Sequence, residues 1–347
     1  MNRVYLDWNA TTPLRIEARS AMLAAMDVLG NPSSVHREGR AAKALLARAR
    51  ADIAAAFGAE GADIVFTSGA TEGAALACGG RALDCADVEH EAVLAWCNAG
   101  LPVDAQGRVV VLDPSKSALQ LANSETGILQ TLPEGLAVVD ATQAFGKLPI
   151  AFNWLGCQMA LSSAHKLGGP KGVGALILRQ GVDLPAQLRG GGQESGRRAG
   201  TENLIGIAGF AAAAKAAARD LAAGVWDRVA ELRNILEQAL SAHGFKTILV
   251  GNDAARLPNT LCVIAEGWKG ETQVMAMDLA GFAISAGSAC SSGRVRASRT
   301  LRAMGFDAVQ SASAIRISLG PDMVQDDVLR FADVWAGEYK RIRARSA

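Results

Sequence analysis

The sequence predicts an α/β protein with a mainly parallel, seven-stranded-type sheet, helices on both faces, and a second, smaller α+β domain. Three observations support this fold class. Short apolar runs alternate with helical patterns through the first two thirds of the chain, as in parallel sheets. Half of the 347 residues are hydrophobic, which is ample for a buried core. After about residue 245, strand-like runs return at wider spacing, which indicates a separate unit.

The elements follow from periodicity. Apolar residues at helical spacing predict helices over 14–29 and 38–57, and DIVFTSG at 63–69 predicts a strand that runs into a glycine turn and a helix. The segment 86–96 has the pattern of a strand end followed by a helix. Further strand-like runs lie at 109–114, 119–124, 136–143, 159–166 and 173–179. Some of these runs lie too close together for an intervening helix, which predicts one antiparallel strand.

The last third predicts a helical connection and the smaller domain. A helical region covers about 202–243. Strand-like runs then lie at 260–267, 281–287 and 314–320, with helices at about 270–279, 297–304 and 324–345. The predicted large domain is therefore 14–244, and residues 1–13 and 245–347 form the small one.

Composition excludes several classes of function. The formal net charge is +1 and there is no long basic run, so neither nucleic acid nor an anionic membrane is an expected partner. No apolar stretch is long enough to cross a bilayer. The six cysteines form no C-x-x-C pair, which predicts a cytoplasmic protein with reduced thiols. Five of the six lie among apolar neighbours and are expected in the core, and Cys290 is the exception.

Polar residues gather where predicted strands end, which is where open parallel sheets bind ligands. The turn TSGATEG would present free backbone N–H groups at a helix start, either to a phosphate or simply to a helix cap. Asp140 ends a buried strand and either pairs with a cation or caps a helix. His90 is either a stacking ring or a hydrogen-bonded core residue.

Lys166 in SSAHKLGGPKG is either a surface charge or an amine nucleophile in a cleft. A phosphate site, a buried carboxylate and a cleft lysine together fit one cofactor, pyridoxal 5'-phosphate. It has a phosphate, a ring nitrogen that a carboxylate keeps protonated, and an aldehyde that reacts with an amine.

Longer motifs carry a resemblance to a known family. They are YLDWNATTP (5–13), GNPSSVHREGR (30–40), FTSGATE (66–72), VEHEAVL (88–94), ANSETGILQ (122–130), VDATQAFGKLPI (139–150), SSAHKLGGPKGVGAL (162–176), RGGGQESGRRAGTEN (189–203), SAGSACSSG (285–293) and IRISLG (315–320). In this order they resemble the cysteine desulfurases of the NifS/IscS type, which belong to the class V aminotransferase group of fold-type I pyridoxal phosphate enzymes. The resemblance covers essentially the whole chain and implies a large domain like that of aspartate aminotransferase.

The resemblance implies roles around the cofactor ring. Lys166 would hold the cofactor covalently, Asp140 would pair with its ring nitrogen, and Gln143 would bond its ring hydroxyl. His90 would stack on the ring and take part in catalysis. Ser124 stands where the family commonly has Asn, so its shorter side chain would contact the cofactor less directly.

The resemblance also implies a phosphate site shared between two subunits. Ala70, Thr71, Ser163 and His165 would hold the phosphate of their own subunit. Thr201 would reach the phosphate of the partner subunit, which implies a homodimer.

The substrate implied by the resemblance is L-cysteine. Arg316 would bind its carboxylate, and Cys290 would attack its sulfur, leaving L-alanine and a persulfide on Cys290. The sulfur would pass to an iron–sulfur scaffold protein or another acceptor, and the persulfide on Cys290 would transiently ligate a nascent cluster. Small residues around Cys290 suit a reactive loop, whereas a structural cysteine, a selenocysteine lyase and a degraded homologue that assists assembly are the alternatives.

Overall fold

The computed structural model describes residues 3–287 and 297–346. The helices are α1 (Ile16–Met26), α2 (Arg37–Ala56), α3 (Ala70–Cys78), α4 (Glu91–Leu94), α5 (Leu204–Ala222), α6 (Val225–Ala242), α7 (Gly270–Leu279), α8 (Arg299–Ala303), α9 (Ala308–Ala312) and α10 (Gln325–Ser346). The strands are β1 (Val4–Tyr5), β2 (Asp63–Thr67), β3 (Asp84–Cys85), β4 (Asn98–Ala99), β5 (Ala118–Gln120), β6 (Val138–Asp140), β7 (Met159–Ser163), β8 (Gly174–Leu178), β9 (Thr247–Val250), β10 (Thr260–Ala265), β11 (Phe282–Ala283), β12 (Ser285–Ala286) and β13 (Ala314–Ser318).

The larger sheet has the strand order β2-β8-β7-β6-β5. Strands β5, β6 and β7 run parallel, whereas β8 is antiparallel to both of its neighbours. The short parallel pair β3 and β4 adjoins β5 through a bridge between Asp84 and Ser117. The predicted sheet with one antiparallel member is therefore confirmed, and these seven strands form the predicted α/β layer.

Helices cover both faces of this sheet because its strands alternate apolar residues between two cores. Ile64 and Phe66 of β2 pack in a core with Ile53 of α2 and Phe210 of α5. Val65, between them in sequence, packs on the other face with side chains of α3. Apolar residues on both faces are what a sheet buried between helices requires.

The second sheet is antiparallel, in the order β12-β13-β10-β9. Helices α6, α7 and α10 pack their apolar side chains on it, with Trp335 and Phe331 at the centre of the core. Strand β1 of the N-terminal segment pairs with β11, so that segment lies beside this second unit. The side chains of α6 belong to this core, which favours a boundary between α5 and α6; the division at residue 244 stays a prediction.

Three local expectations differ from the structure. The run 109–114 forms no strand, only a bridge from Val109 to Val103, and Val110 and Leu112 are exposed. The helical region 202–243 is two helices that meet at Gly224, whose φ of 68° breaks the helical hydrogen bonding. Strand β9 is absent from the predicted strands, although its sequence, TILV, is a short apolar run of the kind that forms buried strands.

The cysteines and the helices test two further expectations. Four of the five cysteines among the described residues are buried, and Cys97 is partly exposed. In the ranges 3–287 and 297–346, none of the helices combines the length and the apolar character that crossing a membrane requires.

Candidate active site

A cavity of about 440 Å³ lies at the edge of the larger sheet where β2, β5, β6 and β7 end. Parallel strands bring their carboxyl ends to one edge, and the helix starts that follow them face the same space. Nine of the predicted site residues line the cavity: Ala70, Thr71, His90, Ser124, Asp140, Gln143, Ser163, His165 and Lys166. Arg316 and Thr201 do not line it, and Cys290 lies outside the described residues.

The first feature of the cavity is an anion-binding cup between β2 and α3. The first backbone N–H groups of α3 lack intrahelical acceptors and lie at the positive end of the helix. The hydroxyl of Ser163, at the end of β7, faces Gly69: a Cβ atom at Gly69 would lie 3.6 Å from Ser163 Oγ and narrow the cup. The donors and the small residue at Gly69 suit a phosphate.

Lys166 lies on a short 3₁₀ turn after β7, where its amine meets the N-terminal segment. Its Nζ donates hydrogen bonds to the carbonyl oxygens of Asn9 at 2.6 Å and Ala10 at 2.9 Å. The adjacent His165 ring has Nδ1 at 3.2 Å from Thr11 Oγ1. Burial, and then the charge of Lys166 and nearby lysines, lowers the pKa of His165 to about 4, so its imidazole is neutral at pH 7.

Asp140 and His90 lie at two other strand ends on the cavity wall. Asp140 Oδ1 accepts a hydrogen bond from the Thr142 backbone at 2.9 Å, so it does cap the following turn as one alternative expected. Its carboxylate also lines the cavity, so capping does not exclude a ligand. His90 Nδ1 accepts from the Ala92 backbone at 3.1 Å, which puts the proton of a neutral ring on Nε2.

Glu89 is a buried carboxyl beside this wall, next to His90 at the predicted strand end, to which sequence reasoning assigned no role. Its Oε1 accepts from the Gln120 backbone at 2.8 Å, and its Oε2 has no partner among the described residues. Burial raises the pKa of Glu89 well above its usual range, and the charge of Asp140 adds to this effect. Burial therefore favours the neutral form of this carboxyl more than in an exposed glutamate.

Gln143 is held from both ends of its amide. Its Nε2 donates to the Asn9 carbonyl at 2.9 Å, and its Oε1 accepts from Lys147 Nζ at 2.8 Å. Sequence reasoning assigned no role to Asn9 or Lys147, although both lie inside quoted motifs. A polar residue inside an apolar run, such as Lys147 in AFGKLPI, was the available signal.

Arg316 lies on β13, buried behind the cavity. It donates to Asp7 Oδ1 at 2.7 Å and to the Ser124 carbonyl at 3.0 Å, so it reaches the cavity wall through the backbone of Ser124. Its Nε is buried and has no partner among the described residues. A guanidinium has five N–H donors, so capacity for a further acceptor remains. Asp7 was the residue that sequence reasoning missed here.

Glu125 lies near Gly287 and Ser298, two described residues on either side of Cys290 in the sequence. Its Oε2 accepts from Ser298 Oγ, and a Cβ atom at Gly287 would lie 3.2 Å from the same oxygen. Burial raises the pKa of Glu125 to about 7, although Ser298, Arg316 and Arg299 act in the opposite direction. This carboxyl therefore titrates near neutral pH, next to the described residue Ser298.

The other predicted residues lie apart from the cavity. Thr201 is exposed on the loop before α5, where it is available to a second subunit rather than to this cavity. Within 3–287 and 297–346, no group of three or more His, Cys, Asp or Glu side chains is arranged to hold a metal ion. The expected role of Cys290 as a transient cluster ligand concerns a residue outside these ranges.

Comparison with known proteins identifies the family. The model of the class-V aminotransferases matches residues 4–331. A cysteine desulfurase of Cereibacter sphaeroides is 40% identical, with 100% of this chain and 98% of that protein covered. The cysteine desulfurase IscS of Dictyoglomus turgidum is 34% identical over 99% of this chain and 96% of its own length.

Solved structures agree with this relationship. A NifS-like protein from Rickettsia africae has a TM-score of 0.84 and 28% identity, and covers 99% of this chain and 100% of its own. Another NifS-like protein has a TM-score of 0.85 and 30% identity, over 97% and 99% of the two chains. Because the family model and these relatives span nearly the whole chain, it belongs to the class-V aminotransferase family and, within it, to the cysteine desulfurases.

Proposed function

We propose that this protein is a pyridoxal-phosphate-dependent cysteine desulfurase that converts L-cysteine to L-alanine and a persulfide on Cys290. One observation carries the proposal: the Lys166 amine, the Asp140 carboxylate and the cup at the start of α3 meet in one cavity of about 440 Å³. These three groups match the aldehyde, the ring nitrogen and the phosphate of one cofactor. The family relationship supports the same activity.

The residues present fit this cofactor. The cup would hold the phosphate through the first N–H groups of α3 and the hydroxyls of Thr71 and Ser163. Asp140 would pair with the ring nitrogen, and His90 would stack on the ring. When bound, pyridoxal phosphate supplies an electron sink for the negative charge that develops at the substrate Cα.

Lys166 would transfer the proton of the substrate Cα. Its Nζ would take the proton from the substrate Cα and return one later, which requires an amine held at a fixed place in the cavity. The carbonyls of Asn9 and Ala10 hold it there at 2.6 and 2.9 Å. The neutral imidazole of His165 adds no competing positive charge next to this amine.

Arg316 would bind the substrate carboxylate. Its Nε, which has no partner in the part of the chain that the structure describes, offers a donor, and its NH1 donates to the Ser124 carbonyl of the cavity wall at 3.0 Å. Asp7, 2.7 Å from NH2, holds the guanidinium plane in place. A guanidinium held in this way can present paired N–H groups to a carboxylate.

Cys290 would accept the sulfur. Its thiolate attacks the substrate sulfur, a new S–S bond forms, and the substrate C–S bond breaks. The electron pair of that bond is left on the substrate carbon, which is protonated to give alanine, while Cys290 carries the persulfide. Of the described residues near Cys290 in sequence, Ser298 donates to Glu125, the neighbour of Ser124 in the cavity wall, and a Cβ atom at Gly287 would lie 3.2 Å from the same carboxyl oxygen.

A homodimer and a sulfur acceptor are the proposed partners, in the cytoplasm. Six exposed apolar side chains between residues 14 and 35 offer a surface for a second copy: Leu14, Ile16, Leu23, Met26, Leu29 and Val35. Thr201 is exposed and does not line the cavity of its own subunit, so it would then bind the cofactor phosphate in the partner subunit's cavity. The sulfur would pass to an iron–sulfur scaffold or another acceptor protein.

The shared site can be tested by mixing two inactive variants, Lys166→Ala and Thr201→Ala, under conditions that exchange subunits. In a mixed dimer, the subunit that retains Lys166 receives an intact Thr201 from its partner. Activity recovered on mixing supports the dimer. A monomeric mass in sedimentation, or no recovery despite proven exchange, contradicts it.

The activity itself is tested by measuring alanine and sulfide released from L-cysteine with a thiol reductant. The wild type is expected to release both, and Cys290→Ala to bind L-cysteine with a change in the cofactor absorbance but to make no sulfide. Cys97→Ala is the matched control. Hydrogen bonds from Cys78 and then Cys85 lower the pKa of Cys97, a partly exposed cysteine that does not line the cavity.

Two outcomes contradict the proposal in different ways. If Cys290→Ala releases sulfide as fast as the wild type, Cys290 is not the acceptor and a lyase reaction, as with selenocysteine, explains the site better. If the wild type has no cofactor absorbance, the chain is a homologue without this chemistry.

A further inference from the structure

Lys147 is a buried lysine whose side-chain hydrogen bonds, among the described residues, go to neutral groups. It is 2% exposed, and its Nζ donates to Gln143 Oε1 at 2.8 Å and to Asn9 Oδ1 at 3.1 Å. Burial lowers the pKa of Lys147 well below its usual range, and the charges of Lys166 and Arg316 act in the same direction. Even in its neutral form an amine has two N–H donors, one for each of these two amide oxygens.

These bonds determine how the amide of Gln143 is oriented. Since Oε1 receives the Lys147 amine, Nε2 has to be the end that meets the Asn9 carbonyl at 2.9 Å. One N–H of the same amide then remains for a ligand in the cavity that Gln143 lines. The Asn9 carbonyl, which can only accept, favours the same orientation, so Lys147 adds a second constraint on which end of the amide faces that ligand.

Asn9 is the second residue that Lys147 holds. It is fully buried, and its Oδ1 also accepts from Asn259 at 3.1 Å, while its Nδ2 donates to Thr260 at 2.8 Å. Its backbone carbonyl accepts the hydrogen bond from Lys166 Nζ at 2.6 Å. The side chain of Asn9 is thus anchored on three sides, and its carbonyl is one of the two that locate the Lys166 amine.

We propose that Lys147 is a positioning residue for the reaction: its buried amine orients Gln143 and Asn9 and, through the Asn9 carbonyl, sets the place of Lys166 Nζ. This inference rests on the proposed function and extends it to a residue outside the cavity wall. Removing the amine leaves Gln143 Oε1 without a donor and takes from Asn9 Oδ1 one of its two donors, which favours rearrangement of both side chains. A shift of about 1 Å at a reacting group is enough to lower a rate about a hundredfold.

The test compares three variants of the holoenzyme. Lys147→Met removes the amine and keeps a similar shape, and Lys147→Gln keeps two N–H donors on a shorter chain. Lys215→Met makes the same chemical change at an exposed lysine of α5 that pairs with Asp52. The measurements are kcat and KM for L-cysteine, the equilibrium affinity for pyridoxal phosphate, the pH midpoint of the cofactor absorbance, and the thermal midpoint.

A positioning role predicts a selective effect. In Lys147→Met, we expect kcat to fall at least tenfold with KM within twofold, the pH midpoint of the absorbance to move by at least 0.5 unit, and cofactor affinity to weaken about tenfold. Lys147→Gln should fall between this variant and the wild type, and Lys215→Met should match the wild type.

Three outcomes decide against the inference or separate it from the proposed function. If a folded Lys147→Met keeps its kcat within twofold and its absorbance midpoint within 0.2 unit, Lys147 is only structural and the inference is wrong. If Lys147→Met does not fold, Lys147→Gln decides: a midpoint shift of at least 0.3 unit supports the inference, and a smaller shift refutes it. A wild type without the cofactor band overturns both proposals, whereas an active wild type with unaffected variants overturns this one alone.

Discussion

Glu125 makes the stability of this protein depend on pH in a predictable direction. Its carboxyl lies against Ser298 and Gly287, and burial raises its pKa to about 7. In the unfolded chain the pKa of a glutamate is about 4.3. The folded state therefore holds the proton more tightly, and the stability that this gives is fully present below about pH 4.3 and is lost as pH rises through 7.

The magnitude follows from the shift. One pKa unit corresponds to about 1.4 kcal/mol, so the contribution of Glu125 to the free energy of unfolding falls by about 2.5 kcal/mol between pH 5 and pH 8. Glu125 is only partly buried, and solvent screening reduces the effect. We therefore expect about 1.5 to 2.5 kcal/mol.

The substitution Glu125→Gln removes the titration and keeps the shape of the side chain. The variant should gain this amount of stability relative to the wild type as pH rises from 5 to 8. Urea unfolding of both proteins, with excess pyridoxal phosphate and at constant ionic strength, measures the difference at each pH. Glu60→Gln, at an exposed position, is the control. If the difference between wild type and Glu125→Gln stays constant within about 0.5 kcal/mol, the assigned environment of this carboxyl is wrong.

Three further predictions concern stability. Gly174→Ala should lower the free energy of unfolding by about 2 to 3 kcal/mol and weaken cofactor binding, because the new Cβ atom would lie 2.7 Å from Gly69 Cα in the anion-binding cup. Thermal melts with and without pyridoxal phosphate measure both effects. An unchanged melting temperature contradicts the prediction. Gly337 is exposed in α10 and has open space around it, so Gly337→Ala should raise the free energy of unfolding by about 0.5 to 1 kcal/mol, because alanine favours the helix. The same melts measure this gain, and any loss of stability contradicts the open space assigned to this position. Glu194→Gln should lower the free energy of unfolding in urea by about 2 kcal/mol, because buried Glu194 pairs with both terminal nitrogens of Arg50. A variant as stable as the wild type would mean that this ion pair does not stabilise the protein.

The sequence by itself determined the fold class and much of the cavity wall. Alternating apolar strands and helices predict a mainly parallel sheet, and such a sheet collects the carboxyl ends of its strands at one edge. Asp140, Ser163 and Lys166 could therefore be expected near one another before their distances were known. The roles of these residues in catalysis stay predictions.

Only the tertiary structure decided which distant groups meet. The contact of Lys166 with Asn9 joins residues 157 positions apart, and that of Arg316 with Asp7 joins residues 309 apart. No local pattern encodes such pairs, because they depend on how the N-terminal segment crosses between the two sheets. Lys147 shows the same limit: its motif contains a lysine in an apolar run, but its lowered pKa and its hydrogen bond to Asn9 follow from its burial in the tertiary structure.

Titration behaviour also belongs to the tertiary structure. The local sequence around Glu125, Glu89 and His165 gives each the ordinary pKa of its type. Burial raises the pKa of both glutamates and lowers that of the histidine, because removing water disfavours the charged form of each. The sequence thus specified which ionisable groups reach the site, and packing decided which of them carry charge there.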